Sequence, residues 1–548
     1  MIMSILELNG IKTAMESNKG NRVLDVLIKV VFALLFMGSV FIVSASNYDL
    51  FDTYRKYWTI IGGLILLILF SLTLIIGKGK LPFPVGFNLK VVFAAGVSDS
   101  LYALAQFLKV LPSYNRYYTY TGSFENPAVF SMLLSLCVPI GVYLGYKNSD
   151  SKKTREIWWM LSFMLLVFIG FSESRTGFIA AVVSSFIVII SESDSIRTRI
   201  LNKRTLSILI PIGLIVLFLL YRFKADSANG RLLMWRVCWE IIKDKPFVGF
   251  GLNGFTAHYM QYQADYLALH PDSPFILLAD NVNNPFNEYL LVLVNYGITG
   301  FLVLLGLLAL LFRKMLRQPN DYRYLLIGLA LAVMIWSFFS YPFSMPFIWV
   351  ITALIALSAL SGTGREIKVI IPVVTIVFSL IGIVLSVRCF RPEREWKVIS
   401  QRSLMGETEA VLPDYERLHD RLKRNGNFLY NYGAELHYSK HYQESLNILD
   451  ECERLINDYD VLMLEGDCYQ NLGDTLMAIG YYDQAGGMVP SRFLPLYYKM
   501  NLFKEMGDTA SSVETAKKIV NKDIKVEKSK TTQRIVREAT GLLNDINN

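Results

Sequence analysis

Residues 283–289 read Asn-Asn-Pro-Phe-Asn-Glu-Tyr and run straight into LLVLVNYGITGFLVLLGLLALLF, residues 290–312. The second part carries no Asp, Glu, Lys, Arg or His, and it exceeds the roughly 20 residues with which an α-helix crosses a bilayer. Within lipid every backbone N–H and C=O needs a partner in the chain, so this run predicts a membrane helix and an all-α fold. Its beginning is unusual. Two amides including Asn284, a proline, a third amide (Asn287) and a carboxylate (Glu288) mark either a solvated helix end or the floor of a polar site beside lipid.

The chain has 548 residues, 53% hydrophobic and 18% charged, against about a quarter charged in soluble domains. The deficit is confined to Val26–Ser386. Apolar runs recur there near 27–45, 58–77, 89–110, 125–146, 157–172, 176–192, 205–222, 285–312, 324–340, 346–361 and 368–388. They predict a polytopic helical membrane body of about eleven spans. The run 89–110 is the weakest, because Asp99 interrupts it. From Arg391 onward the composition is that of a soluble domain. The expected organisation is a cytoplasmic segment (1–26), a transmembrane body (27–390) with a large loop (223–284), and a soluble domain (391–548). No small-residue cleavage site follows the first run, which therefore reads as a retained anchor. Cys137, Cys238, Cys389, Cys452 and Cys468 show no CxxC and no Cys/His ligand spacing, so they read as small hydrophobes.

Charge sorts the loops into two sets. One holds Lys12, Lys19, Arg22, Lys78, Lys80, Lys90, Lys147, Lys152, Lys153, Arg155, Arg197, Arg199, Lys203, Arg204, Arg313, Lys314, Arg317, Arg323, Arg365 and Lys368. The short loops of the other set hold only Arg55, Lys56, Arg116 and Arg175. The positive-inside rule places the first set and the N-terminus in the cytoplasm. The large loop and the soluble domain then lie on the outer side of the membrane. The formal net charge of +8 is thus explained by topology, and no nucleic-acid partner is expected. The polar residues at helix ends, Glu125, Asn126, Glu173, Arg175, Arg231, Asn287 and Glu288, all fall on the outer face.

Two features on that face carry chemistry. SESRTG, residues 172–177, is a whole hairpin between two apolar runs, so Arg175 stays at the membrane interface. It either snorkels to lipid phosphates or faces a protein cavity. ANGRLLMWRVCWEIIKDK, residues 228–245, reads as an amphipathic interfacial helix of Arg231, Leu232, Trp235, Val237, Trp239, Ile241 and Ile242, capped by Asn229 with Arg231 in its first turn. GFGLNG, residues 249–254, follows no strand, so a dinucleotide site is not expected. Two arginines on one face suit a diphosphate, because the guanidinium fork matches phosphate oxygens. The face carries no DxD and no carboxylate cluster, so neither a metal nor another cofactor is expected.

GSFENPAVFSMLLSL (122–136), SESRTG, and NGRLLMW, KPFVGFGLNGF and NNPFNEYLLVLVNYGITG in that order resemble the O-antigen ligase and polymerase (Wzy-C) family over roughly residues 30–360. The resemblance implies a GT-C-like membrane glycosyltransferase that takes a glycan from undecaprenyl diphosphate on the outer side of the inner membrane. It implies that Arg175 and Arg231 grip the donor diphosphate, with Asn126 and Asn284 as further substrate ligands. The family's loop usually ends His-Asn-x-Tyr-Leu, the His serving as candidate base. Here Phe286 stands in that place before Asn287. Glu288 is the first replacement, Glu125 the second, and His258 and His270 the third. Asn287 completes the expected catalytic set.

Residues 428–519 repeat small and apolar residues at a spacing near 33: Gly433 and Gly466, Leu449 and Tyr482, Cys452 and Ala485. This resembles tetratricopeptide repeats and predicts an α-solenoid with a final helix near 531–546. Its role is either a scaffold or a holder for an acceptor or protein partner. The acceptor of the glycan is a lipid core, a protein or the growing glycan itself. A transporter would want more charge inside the spans than Asp99. A glycosyltransferase of the shape-elongation-division type would want a catalytic Asp in the large loop, where Asp226, Asp244, Asp265, Asp272 and Asp280 lie.

Overall fold

The computed structural model describes residues 2–43, 52–76, 84–113, 115, 117–147, 151–200, 202–223, 225–317, 321–360, 369–525 and 529–547. Of the charges used to orient the loops, Lys78, Lys80, Arg116, Arg365 and Lys368 lie outside the described residues, as do the side chains of Lys12 and Lys19. No strand occurs among the described residues. The first helices are α1 (Ile2–Phe41), α2 (Asp52–Ile76), α3 (Val85–Phe107), α4 (Pro127–Lys147), α5 (Lys152–Phe171), α6 (Arg175–Glu192), α7 (Asp194–Ile200) and α8 (Lys203–Phe223). Then come α9 (Ala225–Asp244), α10 (Gly254–Leu269), α11 (Glu288–Arg317), α12 (Arg323–Phe339), α13 (Pro346–Leu360) and α14 (Ile370–Arg402). The last are α15 (Thr408–Leu422), α16 (Gly426–Tyr438), α17 (Tyr442–Glu453), α18 (Tyr459–Asn471), α19 (Thr475–Met488), α20 (Leu494–Glu505), α21 (Thr509–Val520) and α22 (Lys530–Asn547).

All eleven apolar runs fall on helices, namely α1 to α6, α8 and α11 to α14. Seven helices among the described residues are long and apolar enough to cross a membrane, and α12 and α13 are shorter apolar helices. The chain is a polytopic helical membrane protein. It forms two compact units, one of Met1–Val216 and Leu305–Arg391, the other of Leu217–Leu304 and Pro392–Asn548.

In the first unit α4 is the central helix, with 89% of its most apolar window buried. α3, α5, α6 and α12 pack around it. Lipid offers no hydrophobic drive between helices, so close approach depends on small residues and hydrogen bonds. Gly96 lies against Cys137, Gly141 against Phe93 and Ser162, and Gly328 against the Ser184 backbone. The Trp336 indole N–H donates to Ser135 Oγ at 2.9 Å. Cys137 and Cys238 are buried and free, as are Cys452 and Cys468, while free Cys389 is exposed on α14.

In the second unit the chain from α9 to the start of α11 and the C-terminal helices share a core. Leu233, Val237, Cys238, Ile241, Phe255 and Tyr259 meet Tyr459, Leu462, Ala485 and Met488 there. α16 pairs with α17, α18 with α19 and α20 with α21 as helical hairpins. Gly433 and Gly466 are where the pairs close up: a Cβ would meet Leu449 Cδ2 at 2.8 Å and Tyr482 Cε1 at 2.6 Å. Asn425, Asp458, Asp474 and Asp508 cap four of these helices by accepting backbone N–H groups. Polar contacts tie the hairpins to the 223–284 loop. Gln263 donates to Met488 O at 2.7 Å, and Thr256 Oγ1 to Leu455 O at 2.7 Å. Asn281 bridges Asp458 and Asp460, and Asp280 accepts from Arg492 at 3.1 Å and Lys525 at 3.2 Å.

Candidate functional site

In the first unit the approach to α4 is a buried turn, Thr121–Phe124, clamped from three sides. Arg55, 3% exposed, donates through Nη2 to Ser123 O at 2.6 Å and lies 4.8 Å from the Phe124 ring centroid. Asp99 accepts the Ser123 N–H at 2.7 Å. Gln106 Oε1 accepts the amides of Thr121 and Gly122, and its Nε2 donates to Gly122 O at 3.0 Å. Gly122 has φ +62°, and a Cβ there would meet Asp99 Oδ2 at 2.7 Å. Asp99, which interrupts an apolar run in the sequence, is therefore a bracket for this turn. Beyond the turn, Glu125 is exposed and Asn126 half-buried. Asn126 Oδ1 accepts the Ala128 amide at 2.8 Å, opening α4.

The SESRTG hairpin opens α6 in a similar way. Glu173 takes φ +52°, and Ser174 caps the helix by accepting the Gly177 amide, which puts Arg175 at the first helical position, half-buried. Gly177 is pressed against Ser131 of α4, where a Cβ would lie 2.8 Å from Ser131 Oγ. The beginnings of α4 and α6 therefore lie side by side, bringing the Asn126 and Arg175 segments to one end of the unit. The Tyr120 hydroxyl donates to the Phe171 carbonyl, tying the two approach loops together. Burial, with the Glu173 carboxylate second, raises the Tyr120 hydroxyl above its ordinary value.

The second unit holds the other candidates. α9 begins at Ala225, earlier than the sequence implies, so Asn229 lies inside the helix and accepts from the Tyr221 hydroxyl at 3.0 Å instead of capping. Arg231 is accordingly in the second turn, not the first. The residues α9 buries are Leu233, Val237, Cys238, Ile241 and Ile242, packed toward α10, while Leu232 and Trp239 are exposed. Four residues after Arg231, the Trp235 indole N–H donates to Pro285 O at 3.2 Å. The Arg231 guanidinium lies over the Phe286 ring, 5.5 Å from its centroid. Phe286 takes φ +52°, and its amide donates to Asn284 Oδ1 at 2.8 Å. Asn287, 3% exposed, accepts the amides of Tyr289 and Leu290 at 3.0 and 3.1 Å and so caps α11. Glu288 is the first residue of α11 and half-buried.

α11 then breaks at Gly297, with φ 62° and ψ −166°. The break exposes backbone groups that an intact helix would satisfy, and the KPFVGFG turn satisfies them. Val294 O and Asn295 O accept the amides of Phe250 and Gly251, and the amides of Ile298 and Thr299 donate to Pro246 O and Phe247 O. The approach requires glycine on both sides. A Cβ at Gly249 would lie 2.5 Å from Asn295 O, and one at Gly297 would lie 2.4 Å from Phe247 O. The Asn295 side chain completes the join, accepting the Phe255 amide and donating to Leu252 O. His258 meets the Phe250 ring beside this turn at a tilt of 56°, with the ring centroids 4.6 Å apart. Burial, then Lys245, lowers its imidazole below the ordinary histidine value. His270 is exposed and stacks on Tyr266 at 4.4 Å.

The sequence-predicted residues thus fall into two sets, Glu125, Asn126 and Arg175 in one unit, and Arg231, Asn284, Asn287 and Glu288 in the other. Sequence reasoning missed Trp235 and Phe286 as partners of the loop end, and Asn295 as its brace. Trp235 was legible as the i+4 neighbour of Arg231, but its partner lies 50 residues away. Among the described residues no three His, Cys, Asp or Glu side chains are grouped so that they could hold a metal ion.

Residues 159–305 match the model of the Wzy-C family, described as O-antigen ligase. The match takes in most of α5, all of α6 to α10 with the whole 223–284 loop, and the NNPFNEY segment with the first part of α11; Gly122–Leu136 lies before it. No curated protein matches the chain. The chain is therefore a polytopic helical membrane protein whose residues 159–305 are similar to the O-antigen ligase (Wzy-C) family.

Proposed function

We propose that this protein moves a glycan from undecaprenyl diphosphate to a lipid-core or protein acceptor at the periplasmic face of the inner membrane. The observation that carries this reading is Arg231, seated at the end of the loop within the O-antigen ligase segment that also contains Arg175. In the reaction the acceptor hydroxyl oxygen bonds to the anomeric carbon. The bond from that carbon to the diphosphate breaks, and the lipid diphosphate leaves with the electron pair. Arg175 and Arg231 stabilise that developing charge without a metal. The hydroxyl proton passes to Glu288, with Glu125 as the second candidate base. Asn126 and Asn284 use Oδ1 on backbone amides, so their side-chain N–H groups are what they offer to substrate.

Residues 428–519 are assigned to tetratricopeptide-type repeats, supported by the three hairpins and by Gly433 and Gly466, 33 residues apart. Their contacts with Gln263, Asp280 and Asn281 support a scaffold role toward the large loop.

Glycan profiles of a deletion strain test the proposal. Loss of glycan from the lipid core or from secreted proteins supports it. Accumulation of single repeat units on the carrier would make the enzyme a polymerase of the same chemistry. Unchanged glycans throughout would overturn the transferase reading.

A further inference from the structure

At the place where the resemblance leads one to expect a histidine base, this chain has a phenylalanine. We propose that Phe286 is a positioning residue whose ring seats the Arg231 guanidinium for the diphosphate of a lipid-linked donor. The role rests on the transferase reading given above. Three contacts converge on residues 285 and 286. Trp235 holds the Pro285 carbonyl, Asn284 Oδ1 holds the Phe286 amide, and Arg231 covers the Phe286 ring. Arg231 and Trp235 are four residues apart on α9, so one helix face grips two consecutive loop residues. That fixes the register between α9 and the loop end.

The backbone adds a second indication. Phe286 takes φ +52°, a region that residues with a Cβ seldom occupy and that persists only when the surroundings impose it. Asn or Gly would satisfy that conformation with less strain. The conformation turns the ring onto α9 at Arg231, so the bulky side chain at this position has a purpose that backbone preference does not supply.

The contact also suits the chemistry. A cation over an aromatic ring is attracted by the ring face, an attraction that strengthens with desolvation. That contact consumes none of the five guanidinium N–H donors, which lie in the guanidinium plane and match phosphate oxygens two at a time. A histidine here would titrate near neutrality, and when protonated it would repel the arginine. Phenylalanine keeps the seat uncharged at every pH. The proton-accepting role must then reside elsewhere, in keeping with its assignment to Glu288 or Glu125.

The test uses the full-length protein in detergent and undecaprenyl diphosphate as the probe, with Arg231→Ala, Phe286→Leu, Phe286→Trp and the double variant Arg231→Ala/Phe286→Leu. Phe286→Leu is expected to weaken binding about tenfold, and Phe286→Trp to stay within about twofold of wild type, as the cation–π scale implies. In the Arg231→Ala background Phe286→Leu should have no further effect on binding. A thermal-unfolding cycle on the same four variants reads the seat without any ligand: the Arg231→Ala shift in midpoint should fall to less than half in the Phe286→Leu background. Additive midpoint shifts, or equal binding by the Leu and Trp variants, overturn the seat. Coupled midpoints with unimpaired binding by Arg231→Ala would instead overturn the donor grip and leave Phe286 as the partner of an arginine with another task.

Discussion

Arg175 follows directly on the Ser174 cap of α6, whereas Arg231 lies one turn inside α9 and over the Phe286 ring. The first position places a guanidinium beside the positive end of a helix dipole, where an anion is favoured twice over. The second relies on an aromatic contact and on the register set by Trp235. Replacing either arginine by Ala should abolish glycan transfer while the protein still folds and inserts into the membrane. Lys should restore each only in part, since a point charge loses the bidentate fork. Near-normal transfer by both Ala variants would reduce these arginines to lipid contacts. The two carboxylates differ as well: Glu288 opens α11 and is half-buried, while Glu125 is exposed before α4. Loss of a general base costs about 10²–10⁴-fold in rate. Glu288→Gln should therefore lower turnover by that order with donor binding intact. If Glu288→Gln keeps more than about a third of wild-type turnover, an estimate set well above base loss, while Glu125→Gln loses it, the base lies at α4.

At the scale of elements, a helix break and a buried carboxyl stand out. The Gly297 break in α11 is completed by the backbone of the 246–251 turn, so loop and helix are one structure. Between α17 and α18, burial and then the neighbouring Glu453 carboxylate hold Glu465 protonated far above the usual carboxylate range. Its residue is 3% exposed. The sign follows from proton linkage. The folded state binds a proton there that the unfolded chain releases near its ordinary value, so this group makes folding less favourable as pH rises above that value. The penalty grows until the folded value is reached. Glu465→Gln puts a neutral amide of nearly the same shape in place of the protonated carboxyl and removes the titration. The midpoint of the variant should exceed that of wild type by a margin that widens from pH 5 to pH 8. A margin independent of pH would show that Glu465 is not protonated in the fold.

For the whole molecule, the C-terminal helices and the 223–284 loop belong to one compact unit. Asp280, six residues before Phe286, is where they meet most polarly. Burial opposes ionisation of Asp280, but the Arg492 and Lys525 contacts and the Asn281 amide outweigh it and lower its value. The contribution is accordingly present above the ordinary Asp value and lost as pH falls through the lowered one. Pairs this exposed are worth about 1 kcal/mol or less. Asp280→Ala should speed amide exchange across residues 279–290 by a few-fold, about what that energy allows, with α4 to α6 unchanged. Unaltered exchange there would mean the repeats do not steady the loop. Orientation in the membrane rests on loop charge. A reporter active only outside the cytoplasm should be active when fused after Asn548 and silent after Arg317. The reverse pattern would remove the site from a periplasmic substrate.

The sequence alone determined the membrane helices and the hairpin helices of the tail, because both are written in local composition. An apolar run long enough to cross lipid has no option but to pair its own backbone, and small residues at regular spacing mark where helices approach. It also singled out Arg175, Arg231 and NNPFNEY, since polar groups at the ends of apolar runs stand out against their surroundings. Tertiary structure alone decided that Asp99 braces the Thr121–Phe124 turn and that Phe286 lies under Arg231. The same holds for the Gly297 break closed by a distant turn and for the helical tail sharing a core with the loop. The partners in these contacts lie from 24 residues apart, as for Asp99 and Ser123, to 245 apart, as for Asp280 and Lys525. No period in the chain encodes such pairs. They arise only when backbone groups left open in one segment, or a charge left in an apolar one, are satisfied by whatever the fold brings beside them.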